Sequence, residues 1–458
     1  MDQVIEYVRA QHSHYVEELK SFLRIPSVSS DARHTADMAR AAEFVAKQLR
    51  DAGVPNVEPT PTAGHPIVFG EWTIDRSRPT VLLYGHYDVQ PVDPLELWET
   101  GPFEPTVRDG RIYARGATDD KGQLMVHFKG IETFTRLGGK PPVNLKFLIE
   151  GEEEIGSPNL EPFIRKNVGG LSCDAVLISD TSMFAPDVPS ICYGLRGLAY
   201  LEIQVRGPNR DLHSGSFGGP VLNPANALAT LIAAMRDERG KIAIPHFYDD
   251  VLPLTDRERE EWRRLPFDEG SFKKDLEVEA LDGEAGYSPL ELLWARPTLD
   301  VNGMLSGFTG EGAKTVLPSK AMAKVSMRLV PNQDPRRIEE LFVEFVRSHT
   351  PAGVQVEVRA LHGGKPWVAP LDHPALQAGA QALEKAFGRR PVFQREGGSI
   401  PVVATFDELL HVPVVLLGFG LPSENAHAPN EHFHLDHFFK GIETSAHFLQ
   451  LFAAQHRA

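Results

Sequence analysis

Cysteine is nearly absent, and the shortage removes several chemistries at once. Cys173 and Cys192 are the only two in 458 residues. Two cannot build a disulfide framework for a chain this long, and neither lies in a C-x-x-C pair. Both read as small buried hydrophobes rather than nucleophiles or metal ligands. Positive charge is short as well: 47 Lys and Arg face 62 Asp and Glu, for a formal net charge of -15. Nucleic acid and anionic membrane surfaces both call for a basic footprint, so neither is expected as a partner. The longest apolar run, VPVVLLGFG, ends at Gly420 and falls far below the ~20 residues of a membrane span. The N-terminus lacks a basic stretch followed by an apolar one, so no signal peptide is expected and the cytoplasm is the predicted location. There is no internal repeat, no G-x-S-x-G elbow and no true phosphate loop. GFTGEGAKT comes near the last, but puts Ala313 where the lysine belongs.

What is present is an ordinary globular mixture, 42% hydrophobic and 24% charged, long enough for more than one core. Apolar residues recur at helical spacing in VIEYVRAQHSHYVEELKSFLRI and TADMARAAEFVAKQLRDAG. TVLLYG, VNLKFLIE, DAVLIS and, much later, VPVVLLGF are short continuous apolar runs, read as buried strands of a largely parallel sheet with helices between them. The middle alternates by twos and spells β-α-β-β-α-β, the split-βαβ plan, with a long polar and aromatic stretch near residues 243–298. The expected class is therefore α/β with an inserted α+β domain. The predicted division is 1–194 and 362–458 for the split first domain, and 195–361 for the insert.

Chemistry-bearing residues gather where those strands end, which is where open α/β sheets place ligands. His86 and Asp88 close TVLLYG, and Asp119 and Asp120 precede a helix. Glu150, Glu152, Glu153 and Glu154 crowd the end of a third strand. Asp180 follows DAVLIS, and His427, His432, His434 and His437 follow the last strand. Singly, each has a plain reading: a satisfied histidine, a helix cap, a solvated acidic run. Together, imidazoles and carboxylates without cysteine suit two Zn²⁺ ions or Mn²⁺.

The segments GHYDVQP, RGATDDKGQ, EGEEEIGS, LISD, DLHSGSFGGP, GAKTVLP, REGGSIP and NAHAPNE resemble the co-catalytic zinc exopeptidases, a family that includes aminoacylases, glutamate-releasing carboxypeptidases and succinyl-diaminopimelate desuccinylases. The chain looks most like the carnosinase and cytosolic nonspecific dipeptidase branch. The resemblance implies a zinc-exopeptidase-type catalytic domain and a ferredoxin-like lid that also forms a homodimer. It implies two Zn²⁺ per subunit, with Mn²⁺ as the alternative. His86 and Asp180 would hold one ion, Glu154 and His427 the other, and Asp119 would bridge them through a cis peptide to Asp120. Asp88 would orient His86. Glu153 would be the general base for hydroxide bridging the metals, and His213 would stabilise the oxyanion in the partner's site. Arg328, Ser399, Gly397 and Gly398 would clamp the substrate's carboxylate. The activity so implied is hydrolysis of dipeptides or similar short peptides. The alternative is removal of acyl groups from N-acyl amino acids.

Overall fold

The computed structural model describes residues 1–398 and 400–456. The chain divides into two compact units: Met1–Tyr193 with Ala369–Gln394 and Thr405–Ala458, and Gly194–Val368 with Arg395–Ala404. The second unit thus runs beyond residue 361 and takes back a short later segment. Local pattern hides this, because what keeps residues 362–364 in the second unit is pairing: the strand Gln355–Gly364 lies along Gly197–Arg206 over its whole length.

In the first unit the apolar runs form strands at Thr80–His86, Asn144–Glu150, Ala175–Ile178 and Val414–Leu417. Asn144–Glu150 pairs with Thr80–His86, that with Ala175–Ile178, and that with Val414–Leu417, all parallel. Antiparallel strands continue the sheet on both sides: Ile67–Trp72 and Asn56–Thr60 on one, Ser190–Leu195 on the other. The sheet is therefore mixed, with a parallel centre buried on both faces, as continuous apolar runs require. Register then sets chemistry. Tyr84 pairs with Ile178 and His86 with Glu150, so a two-residue step beyond Ile178 brings Asp180 level with His86.

The helix Lys121–Arg136 is buried along most of its length, which explains why it is apolar on nearly every side. Its neighbour Leu435–Gln455 approaches closely because both carry glycine at the crossing. A Cβ on Gly130 would lie 2.9 Å from Ser445 Oγ, and one on Gly441 2.9 Å from Val126 Cγ2.

The second unit holds the β-α-β-β-α-β order: Gly197–Arg206, Pro224–Ala234, Asp300–Ser306, Lys320–Leu329, Pro335–His349 and Gln355–Gly364. Its four strands are antiparallel, with Lys320–Leu329 and Gly197–Arg206 central. Burial alternates along the central pair, so one face carries the core, built from residues such as Leu201, Ile203, Val325 and Phe342. The edge strand Asp300–Ser306 leaves Val301, Met304 and Leu305 exposed. The stretch near 243–298 contains three short helices, two started by capping boxes at Thr255 and Ser288. No helix among the described residues is long and apolar enough to cross a membrane.

Candidate metal centre

Two groups of three side chains meet at the carboxyl end of the parallel strands, and both contain Asp119. One is His86, Asp119 and Asp180; the other is Asp119, Glu154 and His427. His86 Nε2 lies 3.2 Å from Asp119 Oδ1 and 3.9 Å from Asp180 Oδ2. His427 Nε2 lies 2.8 Å from Asp119 Oδ2 and 3.2 Å from Glu154 Oε2. Ligand atoms about 2.0–2.1 Å from a tetrahedral zinc ion stand roughly 3.3 Å apart, so these separations suit such an ion. The two oxygens of Asp119 face different histidines, the disposition a bridging carboxylate needs. The peptide between Asp119 and Asp120 is cis.

The electrostatics also fit a cation. His86 is fully buried, and its Nε2 makes no hydrogen bond despite the nearby carboxylate. Burial opposes charge on Asp119, yet the imidazoles of His427 and His86 hold its carboxyl well below the usual range. Burial, then the negative charge of Asp119, pushes Asp180 far up. Burial also raises Glu153 to about 7, with Glu154, Asp119 and Asp88 adding to the effect and His86 opposing it. Asp119 and Glu154 raise His427 to about 10. Metal-free, this strand end holds more carboxylates than can comfortably ionise together, a conflict that divalent cations remove.

Around these five stand side chains that tie strands to turns. His86 Nδ1 meets the backbone carbonyl of Asp88 at 3.2 Å, with the Asp88 carboxylate at 3.3 Å. That carboxylate also accepts the N–H groups of Glu153 (3.2 Å) and Glu154 (3.1 Å). Asp88 thus links the histidine to the turn that carries both glutamates. Asp120 accepts the His86 N–H at 3.2 Å. Glu152, the extra acid of the run, faces away and accepts from Asn159 and the His65 N–H.

Several functional side chains went unread in the sequence. Gln90 donates to Glu154 Oε2 at 2.7 Å, and its only signal was a place two residues beyond Asp88. Glu424 and Glu431 are fully buried acids either side of His427. Glu424 also forms a third group with His434 and His437. Within it, His434 Nδ1 bonds Glu424 at 2.6 Å and Arg111 Nε donates to His434 Nε2 at 3.0 Å, while the buried His437 Nδ1 has no hydrogen-bond partner among the described residues. His432 stacks on Tyr113.

The remaining predicted residues belong to the second unit. His213 begins the turn before Ser214–Phe217, and its Nδ1 accepts the Gly215 N–H at 3.0 Å. Arg328, half-buried, lines a cavity of about 560 Å³ together with Arg196 and Asp300. Arg196, also unread in the sequence, donates its Nε to the Gly397 carbonyl at 3.2 Å. A Cβ on Gly397 would lie 2.6 Å from its Nη2, whereas Gly398 has open space around it. Ser399 lies outside the described residues.

Relatives match this chain along nearly their whole length. The Cys-Gly metallodipeptidase dug1 of Schizosaccharomyces pombe is 36% identical over 97% of this chain and 96% of its own. The Beta-Ala-His dipeptidase of Homo sapiens is 31% identical over 100% and 93%. The solved M20 family metallo-carboxypeptidase Sso-CP2 from Sulfolobus solfataricus superposes with a TM-score of 0.86 at 35% identity, covering 96% of this chain and 99% of that one. Residues 82–451 match the family described as Peptidase family M20/M25/M40, and with full-length relatives above 30% identity the chain belongs to that family.

Proposed function

We propose that this protein is a metal-dependent dipeptidase. The observation that carries the reading is the pair of three-residue groups sharing Asp119. The dipeptidase names of its relatives favour peptides over N-acyl amino acids. The metals are taken as two Zn²⁺ per subunit, with Mn²⁺ accepted by the same donors. His86 and Asp180 would hold one, Glu154 and His427 the other, and Asp119 both. When bound, the metal pair supplies Lewis acidity, lowering the pKa of water and polarising the scissile carbonyl.

The chain's own residues do the rest. Glu153 takes the proton of the attacking water on its carboxylate and returns it to the leaving amine, so that one water and one amide give one carboxylate and one amine. Burial and the neighbouring acids favour its protonated form, which supports a role that passes through the protonated acid. Asp88 holds His86 and the glutamate turn in one frame. Arg328, with Ser399 and the Gly397–Gly398 backbone, binds the substrate's terminal carboxylate. His213 stabilises the oxyanion in the site of a second subunit, which makes the second unit both lid and homodimer contact. A cytoplasmic location completes the reading.

Hydrolysis of a dipeptide panel beside N-acetyl and N-succinyl amino acids tests it, after chelation and after return of each metal. Dipeptides should be preferred, with activity lost on chelation and restored by zinc or manganese. Preference for the acylated set, or indifference to the chelator, would remove the reading.

A further inference from the structure

We propose that Glu431 is a positioning residue for the metal centre, holding Asp119 and His427 in one rigid frame. The inference rests on reading those two residues as metal ligands. Glu431 lies at the end of the loop that carries His427, has no exposed surface, and has both oxygens occupied by another loop. Its Oε2 accepts Arg115 Nη1 at 2.8 Å and the Gly116 N–H at 2.9 Å; its Oε1 accepts the Thr118 N–H at 3.0 Å and the Asp119 N–H at 3.1 Å. A carboxylate offers about four acceptor positions, and here four donors fill them.

The other end of the His427 loop is tied to the same place. Glu424 accepts the Thr118 hydroxyl at 2.7 Å and the Leu421 N–H at 2.8 Å. Between the two acids, Asn425, His427 and Asn430 have φ of 57°, 61° and 62°, a region that side-chain-bearing residues rarely adopt unless their surroundings hold them there. Arg115 by itself does not account for the arrangement. It already donates Nη2 to the Pro91 carbonyl at 3.0 Å, and three backbone N–H groups converging on one carboxylate serve the loop that presents Asp119.

Glu431→Gln keeps the shape but halves the acceptors and turns an NH₂ toward donors. Zinc binding by the whole protein, read by competition with a chromophoric chelator, should weaken about 10–100-fold, as when residues supporting a metal ligand are lost. KM for a dipeptide at saturating zinc should stay within about twofold. The control is Glu443→Gln, a buried acid paired with Arg9 on the long C-terminal helix, which should lower the melting temperature without changing zinc affinity. Zinc affinity of Glu431→Gln within twofold of wild type would overturn the proposal. So would an equal loss in Glu443→Gln, which would make the effect one of general stability. Should Glu431→Gln fail to fold, Glu431→Asp keeps the charge but draws both oxygens back from their donors and should weaken zinc roughly two- to tenfold; no change would again overturn it. Wild-type protein that binds no zinc would overturn the underlying ligand reading instead.

Discussion

The two halves of the centre are assembled by different means. His86 and Asp180 come to one level because adjacent parallel strands pair in register, and the histidine is sealed from water. Glu154 and His427 stand on a turn and a loop, and the His427 side chain is 55% exposed. What aligns them is a set of side chains: Asp88, Glu424 and Glu431 accept backbone N–H groups, and Gln90 donates to the carboxylate of Glu154. A sheet needs no extra residue to place strand ends, whereas loops of this kind need buried carboxylates to collect their N–H groups. One half is therefore a by-product of folding, and the other depends on particular contacts.

The largest expected effect removes the chemistry while sparing both halves. Glu153→Gln should lower turnover by roughly 10²–10⁴-fold while metal content, measured by elemental analysis, stays at the wild-type level. Loss of metal along with turnover would mean that base and ligand have been confused. Next comes a direct test of the difference between the halves, by urea unfolding of metal-free protein. His86→Ala should cost about 1–3 kcal/mol, because it leaves buried polar groups without their partner. His427→Ala should cost under about 1 kcal/mol, since water screens the exposed ring. Equal costs would erase the distinction.

A pH-dependent effect lies beneath the strand-borne half. His127 is buried between Ser179 and Ser445, at 2.8 Å and 3.0 Å, and burial lowers its pKa to about 3. Unfolded, it titrates near 6.5. Between those values the unfolded chain binds the extra proton, so stability rises with pH and is lost progressively below about 6.5. His127→Gln should flatten this slope by up to about 1.4 kcal/mol per pH unit, read from unfolding curves at several pH values. An unchanged slope would mean that the imidazole accepts a proton in place.

Much of this could be read from residue order. Apolar runs such as DAVLIS read as buried strands, and their ends carried His86, Glu154 and Asp180 in plain view, with Asp119 just before a helix. The β-α-β-β-α-β order was equally visible, because alternation by twos marks a sheet with one covered face. The side chains that serve the loops were not visible. Glu431 sits in NEHFHLDH among four titratable neighbours, and nothing in its spacing says that it turns inward to Gly116, Thr118 and Asp119, more than three hundred residues earlier. Gln90 and Arg196 were missed for the same reason: each acts through partners distant in sequence.

By itself the sequence determined which segments are strands and helices and which residue types stand at the strand ends. These follow from local periodicity, which depends on neighbours a few positions away. Only the tertiary structure decided that Asp119 turns its two oxygens to two different histidines, that Arg395–Ala404 belongs to the second unit, and which of eight crowded acids and histidines meet. Such choices depend on register, burial and the direction of single hydrogen bonds between remote segments, and short-range pattern holds no record of them.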